Sequence, residues 1–122
     1  MDRIAAVSPT ELTAGASTPG VVREVAFDVA GATWMRARAE PRAASGWHHH
    51  GTRDVLGYVV SGRSRFEFGP GGAESTDVEE GGFFHVPAGL VHRDVNPADE
   101  PQEIVLAVVG DGPLVVNVDG PE

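Results

Sequence analysis

The stretch Gly81-Gly82-Phe83-Phe84-His85-Val86-Pro87-Ala88-Gly89-Leu90-Val91-His92-Arg93-Asp94-Val95-Asn96 decides how this chain folds. Phe83 to Val86 is a short apolar run that reads as a strand, and Pro87 stops it. Pro87-Ala88-Gly89 is a tight turn that can reverse the chain and set Val91 to Val95 beside an earlier strand. That earlier segment, Ser45-Gly46-Trp47-His48-His49-His50-Gly51, carries three of the five histidines, and His85 and His92 are the other two. Imidazole is the commonest protein metal ligand, and its neutral form is available near pH 7. Five histidines confined to two distant segments point to one metal centre built by both.

Side chains two apart on a strand share a face, so His48 and His50 aim together while His49 turns away with Trp47. Two imidazoles leave a coordination sphere unfinished, and His92 is the candidate for the third. The product is a three-histidine cradle with positions left open for water or substrate, as in catalytic rather than closed structural sites. His85, on the strand that ends at Pro87, reads as a pocket or supporting residue.

Outward from these segments the chain reads as short strands cut by turns. Sixteen glycines and nine prolines punctuate it. Val25, Phe27 and Val29 alternate with Glu24, Ala26 and Asp28, and Gly31 separates that run from Thr33 to Ala39. Leu56 to Val60 ends at Ser61-Gly62. Ser64 to Phe68 alternates again and runs into Gly69-Pro70-Gly71-Gly72, a hairpin loop. Ile104 to Val109 and Leu114 to Val118 complete the set, the latter as a core strand or an exchanged edge strand. The best helical candidate is a single turn at Ser8 to Leu12, with Ser8 as cap. Short strands at this spacing indicate a sandwich or barrel in a single all-β domain over 1–122, with its core at about 20–118.

Bulk properties exclude several classes. With no cysteine there are no disulfides, thiolate metal sites or thiol catalysis. A net charge of −9, with all nine basic residues dispersed arginines, argues against nucleic acid. Met1 to Pro9 lacks a signal-peptide core, and no apolar run nears the ~20 residues that span a bilayer. A cytoplasmic protein with no membrane partner is expected. No Gly-x-Ser-x-Gly elbow is present, which removes the usual serine-hydrolase reading.

Gly81, Pro87, Gly89, His92 and Asn96 together resemble the second sequence motif of the cupins, a superfamily of small, jelly-roll-like β-barrels built as double-stranded β-helices. His48, His50 and Gly62 resemble the first motif. The departure is the glutamate of that motif: counting back from Gly62 reaches Val55, and counting forward from His50 reaches Asp54. A β-bulge would be needed to turn Asp54 inward as a fourth ligand. The resemblance implies a metal site of His48, His50 and His92, with Asp54 as a further candidate. Pocket positions fall to His85, Gly57, Val59 and Phe84, with Gly57 leaving room near the metal.

An imidazole-rich site suits iron, zinc, copper or nickel; the resemblance implies Fe2+ first, with Mn2+, Zn2+, Ni2+ or Cu2+ as alternatives. Resemblance to three-histidine cupin dioxygenases implies a mononuclear non-haem enzyme acting on a small oxygen-chelating substrate; an isomerase or lyase is the related option. The competing reading is a non-catalytic small-molecule binder or sensor. A homodimer is expected, because small cupins commonly pair their sheets.

Overall fold

The computed structural model describes residues 3–122, and the third strand shows how the sheets acquire an inside. Along β3 (Ala32–Ala39), Thr33, Met35, Ala37 and Ala39 are buried, whereas Trp34 and Arg38 are exposed. On the neighbouring β2 (Val21–Val29), Glu24 stands opposite Arg36 and takes hydrogen bonds from Arg36 at 3.0 Å and Arg38 at 3.1 Å. These arginines therefore decorate the outer surface of the sheet and do not reach its interior.

The remaining strands are β1 (Thr13–Ala14), β4 (His48–His49), β5 (Asp54–Ser61), β6 (Ser64–Phe68), β7 (Glu74–Val78), β8 (Phe83–Val86), β9 (His92–Val95), β10 (Gln102–Val109) and β11 (Val116–Asn117). They form two antiparallel sheets, ordered β1-β2-β3-β10-β5-β8 and β11-β4-β9-β6-β7. Between them lies one apolar core. Val55, Val59, Leu106 and Val108 come from the larger sheet and Phe66 and Val78 from the smaller. Val59 and Val108 are 0% and 1% exposed, and burying such a side chain is worth about 1.5–3 kcal/mol.

The turns follow the residues that demand them. Gly69 to Gly72 closes the β6–β7 hairpin through a 3-10 turn at Pro70–Gly72. In Pro87-Ala88-Gly89-Leu90 the Leu90 amide donates to the Pro87 carbonyl at 3.3 Å, and Gly89 has φ +75°. A positive φ at the third position defines a type II turn, which explains why glycine stands there. Three elements differ from expectation. Ser8 to Glu11 forms a turn and not a helix, closed by the Glu11 amide on the Ser8 carbonyl. Glu74–Val78, too polar to announce itself, is a strand because it completes the hairpin. The apolar run near Leu114 contributes only the two residues of β11, which pair with β4 of the same chain.

Candidate metal centre

Strands β4 and β9 pair antiparallel with His48 opposite His92, which brings their ring centroids to 4.4 Å. His50 follows β4 on the same face, 5.1 Å from His48 and 5.2 Å from His92. All three are buried. Each Nδ1 is held by a backbone carbonyl: His48 by Gly46 at 2.9 Å, His50 by Leu114 at 2.7 Å, and His92 by Leu90 at 2.9 Å. A carbonyl can only accept, so each neutral ring carries its proton on Nδ1 and leaves the Nε2 lone pair free. One ligand atom from each ring lies within 4.8 Å of the others. Buried lone pairs gathered without donors of their own suit a metal ion, and carbonyl-oriented imidazoles are the usual support for one.

Electrostatics keep His48 and His50 neutral and favour a proton on His92. Burial lowers His48, with the Asp94 charge opposing it, and burial brings His50 down to about 4. Burial also works against protonation of His92, but contact with the Asp94 carboxylate outweighs it and raises that group. In the metal-free protein, unfolded His50 titrates near 6.5 and folded His50 near 4, so acid favours unfolding between those values. His48 acts in the same direction. His92 acts oppositely: its contribution is full below about 6.5 and is lost as pH rises through its folded value. With two groups against one, chelator-treated protein is expected to melt at a lower temperature at pH 4.5 than at pH 7. Calorimetric melts at the two values check this, and an unchanged or higher Tm in acid would contradict it.

Of the other candidates, the structure brings only Phe84 to this centre. Asp54 does not join it. The β5 register is regular at Asp54, opposite Val109, and the irregularity in β5–β10 pairing lies near Ser61. Alternation therefore sends Val55 inward, 2% exposed and against the cavity, and Asp54 outward. Asp54 there accepts from His85 Nε2 at 2.8 Å and from the Ala88 amide at 3.3 Å. His85 is thus an outer-face residue. Val59 is sealed in the core and does not line the cavity. Gly57 faces inward as expected, but the room it leaves is filled: a Cβ at this position would overlap the ring of its cross-strand partner Phe84. Phe84 itself lines the cavity with His50 and His92 and stacks on Phe66 at 4.7 Å. Gly57→Ala is expected to destabilise the protein by about 1–3 kcal/mol through overpacking, read as a lower urea midpoint. An unchanged midpoint would show that Phe84 moves freely.

His49 turns away from the site, and its Nδ1 accepts from the Gly51 amide at 2.9 Å. Two residues escaped the sequence reading. Asp94 and Arg23 line the same cavity, ion-paired at 3.0 Å. The signal for Asp94 was present in His92-x-Asp94, two strand residues on one face. Arg23 comes from a distant strand and left no signal. Burial alone would raise Asp94; His92, His48 and Arg23 more than offset it and hold the carboxyl far below the usual range.

The chain belongs to the cupin family: a cupin-domain model matches residues 35–109. Its two sheets have the double-stranded β-helix architecture of solved relatives. An uncharacterized conserved protein from Klebsiella pneumoniae with that domain aligns at TM-score 0.72 and 20% identity, over 86% of this chain and 90% of that one. The polyketide cyclase RemF from Streptomyces resistomycificus aligns at TM-score 0.76 and 18% identity, over 95% and 86%. An oxalate oxidase in complex with the substrate analogue glycolate aligns at TM-score 0.73 and 26% identity, covering 93% of this chain and 63% of the oxidase. The Mn(II)-containing oxalate decarboxylase of Bacillus subtilis shares 21% identity, and this chain spans 29% of its length. No curated protein sequence matches this chain.

Proposed function

We propose that this cupin is a mononuclear non-haem metalloenzyme of dioxygenase type that takes a small oxygen-chelating substrate. Fe2+ is the first metal to test and Mn2+ the second. The observation that carries the proposal is the convergence of His48, His50 and His92, the last two lining a cavity of ≈ 60 Å³. A divalent ion held there supplies Lewis acidity and sites for oxygen ligands. The cavity has room for a handful of water-sized positions, which selects a substrate of few heavy atoms. Met35, Val55, Ile104 and Leu106 wall it with hydrocarbon and exclude bulk water. Among the structural neighbours, the oxidase holding glycolate and the manganese decarboxylase support this direction.

Val55, at the position of the motif glutamate, favours a second reading, a metal-dependent binder or sensor without turnover. Oxygen consumption by anaerobically reconstituted Fe2+ and Mn2+ forms, with oxalate, glycolate and small diketones, separates the two. Substrate-dependent uptake supports the enzyme. Saturable binding with no uptake supports the binder. Failure to take up either metal removes both.

A further inference from the structure

The carboxylate of Asp94 faces the Nε2 atoms of two of the three imidazoles. Oδ1 lies 3.4 Å from Nε2 of His92, and Oδ2 lies 3.7 Å from Nε2 of His48. Both rings commit Nδ1–H to backbone carbonyls, so their neutral Nε2 atoms and the carboxylate oxygens are all acceptors. Negative ends held this close repel unless a cation, either a proton on His92 Nε2 or a metal ion, lies between them. Two ligand atoms at about 2.0–2.2 Å from one ion, subtending roughly 90–120°, stand about 3.0–3.8 Å apart. Both observed separations fall in that window, one through each carboxylate oxygen, beside a group of histidine ligand atoms that lie within 4.8 Å of one another.

Strand geometry supplies the rest. Asp94 is two residues beyond His92 on β9 and shares its face. The Ser45 hydroxyl accepts from the Asp94 amide at 2.9 Å, fixing the backbone there. Arg23, 11% exposed, donates to Oδ2 at 3.0 Å and to the Ala16 carbonyl at 3.2 Å, so the carboxylate is braced through one oxygen. We propose that Asp94 is the fourth protein ligand of the metal, taking the part that Val55 cannot fill, with Arg23 positioning its carboxylate. The site is then a three-nitrogen, one-oxygen set in which the acid comes from the strand of the last histidine. This rests on the reading of the three histidines as a metal centre.

Chelator-stripped wild type, Asp94→Asn, Asp94→Glu and the outer-face control Asp54→Asn are titrated with Co2+, reading calorimetric affinity and the visible d–d bands. Wild type and Asp54→Asn should bind one Co2+ per chain with the same bands. Asp94→Asn should bind at least ~10-fold more weakly with shifted bands. Asp94→Glu, which keeps the acid but moves it by a methylene, should bind with altered bands. Circular dichroism establishes that each variant is folded; should Asp94→Asn fail to fold, Asp94→Glu decides. Variants at Asp94 that match wild type in both affinity and bands overturn the assignment and leave the three-histidine centre standing. A wild type that binds no Co2+ overturns the centre and the assignment together.

Discussion

Replacing His92 with alanine is expected to reduce the protein's metal affinity by at least ~100-fold, since losing even a supporting partner of a ligand costs about 10–100-fold. His92 is 1% exposed and is the contribution of β9 to a cluster whose other two histidines come from β4 and the residue after it. His49 points away and His85 sits on the outer face with Asp54, so no imidazole is placed to substitute. Protein purified without chelators should carry about one transition-metal ion per chain, and His92→Ala close to none. Elemental analysis of both proteins checks this. Equal metal content would mean that the ion sits elsewhere, and the cavity would lose its claim to be the active centre.

Asn96→Asp is expected to destabilise the fold by about 3–5 kcal/mol at pH 7, the usual cost of an uncompensated buried charge. Asn96 is 1% exposed. Its Nδ2 donates to the carbonyls of Glu40 at 3.0 Å and Glu100 at 2.7 Å, while Oδ1 accepts from the Ala98 amide at 3.1 Å. A carboxylate keeps the last bond and turns oxygen toward two carbonyl oxygens. Its pKa in the folded state rises, so the penalty is largest at neutral pH and shrinks in acid, where a protonated acid can donate once. Urea melts at pH 7 and pH 5 measure both the loss and its partial recovery. A variant as stable as wild type at pH 7 would show that Asn96 does not tie these segments together. Its backbone amide also donates to Ala43 at 2.9 Å, which places the residue where the chain enters β4 and leaves β9. The last position of the histidine motif thus serves the scaffold and not the metal.

Residues 81 to 96 were legible because each constraint is local. Pro87 stops a strand, Gly89 supplies the positive φ of its turn, and His92 lands in register with His48. Strand alternation also separated His48 and His50 from His49, and it identified Val55 as the inward residue once no bulge intervened. What stayed hidden depends on partners far along the chain. Whether the space beside Gly57 is open was undecidable without knowing that Phe84 stands opposite it. Arg23 reaches Asp94 across 71 residues, and a period-two pattern says which face a residue takes but never whom it meets. Asp54 was attractive because spacing placed an acid near the histidines; the pleat sends it to the other face.

The His50 imidazole takes its orientation from the Leu114 carbonyl, and the segment bearing that carbonyl is stitched to the barrel by two-residue β11 and by the Val118 amide on Trp47 at 3.0 Å. Mechanically, this segment is a tether with its anchor at the histidine cluster. The orientation of the His50 ring therefore depends on residues 114–118 keeping their pairing with β4 and Trp47.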